Sequence, residues 1–157
     1  MFYLFNLISI YFFNFSIINI LLNFLVNNTI FEQSPSYSLQ LLCNSVNSTL
    51  NISNCNFIEN EFDVYIEFIG SISIFNNKFT NTSQSSIQMN GNPYYLSIDS
   101  NQFSNHNGGI FHFCSNCIRP NSNLNNIYYF INNIIKNCDN IQSTLFYANI
   151  SRYFFSY

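Results

Sequence analysis

The chain has very little charge. Of its 157 residues only 7% are Asp, Glu, Lys or Arg, against about a quarter in an ordinary soluble domain. Only four are basic, namely Lys78, Arg119, Lys136 and Arg152, and none lies near another in sequence. Counterion release needs many Lys or Arg, so nothing here calls for a nucleic-acid partner. Capped segments with helical periodicity are also missing beyond the N-terminal run; alternation with β-branched and aromatic residues dominates instead. Disordered chains combine high charge with few aromatics, and this one does the reverse. It is 48% hydrophobic and 19% aromatic, with 19 Phe and 11 Tyr, enough to build the core of one domain. Asn is close to a fifth of the residues, so solubility rests on Asn, Ser and Thr.

One stretch recurs. Leu50-Asn51-Ile52-Ser53-Asn54-Cys55-Asn56-Phe57 returns as Ile72-Ser73-Ile74-Phe75-Asn76-Asn77-Lys78-Phe79 and as Leu96-Ser97-Ile98-Asp99-Ser100-Asn101-Gln102-Phe103. A fourth copy is Tyr128-Tyr129-Phe130-Ile131-Asn132-Asn133-Ile134-Ile135. Each is an alternating strand, an Asn-rich corner and one large apolar residue. Phe57, Phe79 and Phe103 recur every 22 to 24 residues, and a fixed period of this size signals a solenoid. Between the copies lie further strand-like segments: Phe62-Asp63-Val64-Tyr65-Ile66-Glu67-Phe68, Ser85-Ser86-Ile87-Gln88-Met89, Gly109-Ile110-Phe111-His112-Phe113 and Thr144-Leu145-Phe146-Tyr147-Ala148.

Stacked parallel strands put equivalent residues above one another. Leu50, Ile72, Leu96 and Tyr128 form one expected inward column. Ile52, Ile74, Ile98 and Phe130 form the next, and Phe57, Phe79, Phe103 and Ile135 a third. At the corner, Asn77, Asn101 and Asn133 stand in register with Cys55 and suit an amide ladder. The column of Asn54, Asn76, Ser100 and Asn132 suits one equally well.

Residues 2–26 carry no charge and open the chain with a long apolar run. Residues 1–27 are therefore expected to be an apolar helix acting as a signal peptide or signal anchor. No Lys or Arg precedes the run, no small-x-small cleavage site follows it, and Asn6, Asn14, Asn19 and Asn23 interrupt it. Apolar strands of the solenoid are thus a third reading. Residues 28–38, with Glu32 and Pro35, read as a polar linker, and residues 39–157 as the repeats, with an unfinished rung at the C-terminus.

The pattern resembles right-handed parallel β-helix repeats of the pectate-lyase-like superfamily, and within it those of polymorphic outer membrane proteins. Phe57-Ile58-Glu59-Asn60 matches their F-x-x-N element and Gly108-Gly109-Ile110-Phe111 approximates their G-G-apolar-apolar element. Thr82, His106 and Cys138 stand where the other copies would have Asn. The resemblance implies an all-β fold: a short, single-stranded right-handed parallel β-helix of about four rungs behind the N-terminal apolar helix.

Candidate chemistry is sparse. Five cysteines, Cys43, Cys55, Cys114, Cys117 and Cys138, are an odd number, which leaves at least one outside any intrachain disulfide. Cys114-Ser115-Asn116-Cys117 with His106 and His112 brings four zinc-type ligands into one stretch, but their order is not a familiar finger spacing. A loop disulfide or free thiols beside surface histidines is the simpler account, and no metal or cofactor is expected. Glu59 and Glu61 lie in a turn before Asp63 and Glu67, which strict alternation places on one strand face. They make either a carboxylate pair for glycoside hydrolysis or a solvated outer face. Asn47, Asn51, Asn81 and Asn149 head Asn-x-Ser/Thr sequons that an exported chain presents for glycosylation.

These readings converge on a secreted or cell-surface, non-catalytic module, structural or adhesive. Its partners are glycans or cell-surface proteins, and it touches membrane only through the N-terminal segment. The alternative is a polysaccharide-degrading enzyme, lyase or hydrolase, centred on the acids of residues 59–67.

Overall fold

The structure, a computed structural model, describes residues 2–5, 13–16, 23–43, 45–68, 70–91, 93–114, 127–138 and 146–149. Every regular element among them is a strand. β1 (Phe2–Phe5) and β2 (Phe13–Ser16) come first. Four turns of three strands follow: β3 (Asn23–Asn27), β4 (Ile30–Glu32) and β5 (Tyr37–Cys43); β6 (Thr49–Ser53), β7 (Asn56–Ile58) and β8 (Phe62–Phe68); β9 (Ser71–Phe75), β10 (Lys78–Thr80) and β11 (Ser85–Met89); β12 (Tyr95–Asp99), β13 (Gln102–Ser104) and β14 (Gly109–Cys114). β15 (Ile127–Ile131), β16 (Ile134–Lys136) and β17 (Phe146–Asn149) continue the stack.

Each strand pairs in parallel with its counterparts in the adjacent turns, giving three sheets. The first runs β1-β3-β6-β9-β12-β15, the second β4-β7-β10-β13-β16 and the third β2-β5-β8-β11-β14-β17. The molecule is a parallel β-solenoid. Its register places Leu50 against Ile72, Ile52 against Ile74, and Phe57 against Phe79, and so on up the stack.

Two corners per turn are each made by one residue in the left-handed region. Asn28, Asn54, Asn76, Ser100 and Asn132 follow the first-sheet strands, and Gln33, Glu59, Asn81, Asn105 and Asn137 follow those of the second, all with φ of 53° to 57°. Asn tolerates this conformation better than other residues with a Cβ. No described glycine has positive φ, so Asn does here what Gly does in most proteins. Each of these residues in the four complete turns donates its N–H to a carbonyl of the next turn, as Asn76 does to Asp99 O at 3.1 Å and Asn81 to Ser104 O at 3.0 Å. Gly108 serves another purpose. A Cβ there would lie 1.5 Å from the Gln84 carbonyl oxygen, so the close approach of two backbones demands glycine.

The interior holds the expected columns. Leu50, Ile52, Phe57, Ile72, Ile74, Phe79, Leu96, Ile98 and Phe103 are buried. One further turn joins them, because Phe24, Val26 and Phe31 continue the same columns through β3 and β4. Phe31, Phe57, Phe79 and Phe103 stack with centroids 4.8 to 4.9 Å apart and planes within 8° of parallel, a spacing imposed by the strand separation. The columns thin at β15 and β16. Phe130 is partly buried and Ile135 is 40% exposed, since β16 lies at the edge of its sheet and Phe103 covers Ile135 from one side only.

The apolar helix expected over residues 1–27 is not found in the part described: β1, β2 and β3 are strands, and the rest of that segment lies outside the described residues. No helix among the described residues is long and apolar enough to cross a membrane. Residues 28–38, read from sequence as a linker, contain the corner Asn28, the strand β4, the corner Gln33 and the start of β5. They look polar because two corners and their turns fall within a few residues. Of the C-terminal repeat region, residues 115–126, 139–145 and 150–157 lie outside the described residues.

Candidate functional site

The first corner carries two ladders that serve different surfaces. Asn77, Asn101 and Asn133 turn inward. Asn101 Oδ1 accepts from Asn77 N at 2.9 Å and Nδ2 at 3.0 Å, and Asn133 Oδ1 accepts from Asn101 N and Nδ2 at 2.9 and 3.1 Å. Their amide nitrogens also donate to the carbonyls of Ile52, Ile74 and Ile98. The ladder therefore pairs backbone groups that the bend leaves buried. Cys55 occupies the same slot one turn earlier, with its N–H donated to Asn77 Oδ1 at 2.9 Å. It is a buried free thiol, raised by burial above the ordinary thiol range. A second, exposed ladder joins left-handed residues to one another and to the ends of the preceding strands: Asn76 Nδ2 donates to Asn54 Oδ1 at 2.8 Å, Asn54 Nδ2 to Asn27 Oδ1 at 2.9 Å, and Asn132 Nδ2 to Asp99 Oδ1 at 3.0 Å.

The outer face of the third sheet bears the richest set of accessible groups. In register, Gln40, Tyr65, Gln88 and His112 form one outward row along the stack. Tyr37 and Phe62 stand beside it, with ring centroids 4.7 Å apart, and Tyr37 lies 5.0 Å from Tyr65. All three rings are half-buried. Tyr37 Oη donates to Gln88 Oε1 at 2.7 Å, spanning β8, and Asn90 Nδ2 donates to Tyr65 Oη at 3.1 Å. Tyr65 Oη in turn approaches Glu67 Oε2 at 3.4 Å. Burial holds both phenols above the ordinary tyrosine range, with Tyr65 and Glu61 adding to it at Tyr37 and Glu67 adding to it at Tyr65. Both stay protonated donors at neutral pH. The result is a nearly uncharged platform of three rings edged by amides and one carboxylate.

The acids expected to share a face do not. Asp63 is fully buried, whereas Glu67 points outward and Glu59 is an exposed corner residue. Strict alternation fails because Asp63 and Val64 both turn inward as the chain leaves the corner, a pattern repeated by Ser38 with Leu39 and by Ser86 with Ile87. Asp63 meets Asn60 Nδ2 at 2.9 Å and Thr82 Oγ1 at 2.6 Å. Asn60 also donates to Phe31 O and accepts from Ser34 N. The Phe-x-x-Asn position is therefore an interior column, occupied in turn by Ser34, Asn60, Thr82 and His106, with Cys138 half-buried above them.

The two histidines part in the same way. His106 is buried against Ser86 and Phe103, whereas His112 lies on the outward side of β14 between buried Phe111 and Phe113. Cys117 and the side chain of Cys114 lie outside the described residues. No three His, Cys, Asp or Glu side chains gather as metal ligands among the described residues. Cys138 is, like Cys55, a free thiol. Of the sequon residues, Asn47, Asn51 and Asn81 are exposed, and the side chain of Asn149 is outside the described set.

Sequence reasoning missed the ring platform, because Tyr37 fell in the stretch read as a linker while Phe62 and Tyr65 belong to a strand-like segment about 25 residues on. Comparison of the chain with family models, with curated proteins and with solved structures found no match.

Proposed function

We propose that the chain is a non-catalytic, extracellular or surface-displayed module, a right-handed parallel β-helix akin to the pectate-lyase-like repeats of polymorphic outer membrane proteins. It acts as a rigid structural or adhesive element whose third-sheet face takes up uncharged carbohydrate. The observation that carries the reading is the platform of Tyr37, Phe62 and Tyr65 beside Gln88, Asn90 and Glu67. Ring faces pack on the apolar faces of sugar rings, and edge amides exchange hydrogen bonds with hydroxyls. The burial of Asp63 away from Glu67 means that those two acids share no face, which favours this reading over a polysaccharide-degrading enzyme centred on the acids of residues 59–67. Export rests on the apolar, charge-free N-terminal run, and exposed Asn47, Asn51 and Asn81 are the glycan acceptors such a route would use.

Secretion from a eukaryotic host followed by titration with a soluble neutral β-1,4-glucan oligosaccharide tests the proposal. The wild-type chain is expected to bind weakly and without releasing new reducing ends. Tyr65→Ala should lose at least about tenfold in affinity, the effect of removing a central aromatic anchor. Release of reducing ends, or equal binding by Tyr65→Ala, overturns it.

A further inference from the structure

Two titratable groups are sealed inside the solenoid between the second and third sheets. Asp63 is 0% exposed and His106 2%. His106 reaches Ser86, whose hydroxyl lies 3.3 Å from its Nδ1 and 3.4 Å from its Nε2. Asp63 is held by Asn60 and Thr82, both neutral. Among the described residues, the elements packed around the pair add only Ser38 from β5 and Ser34 from the corner before it to the buried polar side chains. The other described titratable groups on these elements, Tyr37, Glu59, Glu61, Tyr65, Glu67, Lys78, His112 and Cys138, are exposed or half-exposed. A neutral imidazole fits this setting, with one bare nitrogen to accept from the Ser86 hydroxyl.

We propose that Asp63 and His106, both sealed in the interior among neutral partners, are a compensating proton pair: folding removes a proton from the imidazole and adds one to the carboxyl, so the solenoid takes up no net proton as it folds in mildly acidic solution. In the unfolded chain the carboxyl is ionised and the ring protonated over this range. The interior penalises both charges. Burial raises Asp63 to about 7, against the hydrogen bonds from Thr82 and Asn60, and lowers His106 to about 4. One N–H bond is lost and one O–H bond is formed, and the proton count is unchanged.

Each group alone would make stability depend on pH, with opposite signs. Asp63, raised on folding, contributes stability that falls as pH rises from 3.8 to about 7. His106, lowered on folding, contributes stability that rises from about 4 to 6.5. Together the slopes cancel.

Urea unfolding from about pH 4 to 6.5 tests this. The contribution of the pair makes the wild-type profile and that of the double variant Asp63→Asn/His106→Gln parallel. Relative to them, Asp63→Asn should gain stability with rising pH and His106→Gln should lose it, each by up to about tenfold in the folding constant per pH unit. Single variants parallel to the wild type overturn the proposal. Should a single variant fail to fold, the wild-type carboxyl carbon of Asp63 and ring nitrogens of His106, read by NMR at about pH 5.5, decide it. Neutral signals for both support the pair; an ionised carboxyl with a protonated ring overturns it.

Discussion

Asn has three roles in this chain, and its surroundings decide which. At Asn76 it accepts a positive φ and faces solvent. One residue on, at Asn77, it is buried and links turn to turn through its amide. At Asn60 it is buried and donates to the Asp63 side chain. The inward role carries the largest energetic stake, because a buried donor or acceptor left unpaired costs about 1–3 kcal/mol. Asn101→Ala removes the acceptor of Asn77 N and the donor to Ile74 O. It is expected to cost at least about 2 kcal/mol in the urea midpoint at unchanged m-value. Both corner columns were visible in the sequence, Asn77, Asn101 and Asn133 with Cys55 and Asn54, Asn76 and Asn132 with Ser100, but which of them faces inward depends on the backbone bend between them.

At the scale of the strand, the short second-sheet elements decide how tightly the turns stack. The sequence showed each of them as one large apolar residue; the structure makes it the centre of a three-residue strand with its own sheet. Phe79 sits between two parallel rings, so Phe79→Ala should lose about 3–5 kcal/mol through contact loss and a cavity. Ile135, in the same column but 40% exposed, should lose about 1 kcal/mol or less in Ile135→Ala. Equal losses at the two positions would mean that the column is covered at both ends. The inward turn of Asp63 escaped the sequence for a reason at this scale too. A strand leaving a corner buries two consecutive residues, and period-2 alternation carries no mark of where it is broken.

The whole molecule is a one-dimensional stack in which each turn depends on its two neighbours. Among the described residues, four of the five exposed large hydrophobics, Ile127, Tyr129, Ile134 and Ile135, lie in the turn of β15 and β16. That turn is flanked by described strands on one side only. Hydrogen exchange should therefore be graded: the amides of β9 and β10, inside the stack, should be the most protected, and those of β15 and β16 should exchange faster by at least an order of magnitude. Uniform protection along the axis would contradict nearest-neighbour stability.

The sequence by itself determined the stacking. Its period, its inward apolar residues from Leu50 to Phe103 and its Asn corners follow from side-chain alternation and from the few residues that tolerate a left-handed bend, both of which are local properties. It also contained the turn of Phe24, Val26 and Phe31, whose first two residues lie within the apolar run for which export segment and solenoid strands were competing readings. The tertiary structure alone decided what meets across turns: the ring platform of Tyr37, Phe62 and Tyr65, the division of the acids between interior and surface, and the burial of Asp63 against Thr82 and of His106 against Ser86. Those contacts join residues about 20 or more positions apart, and their partners are set by the length of each loop and the bend at each corner.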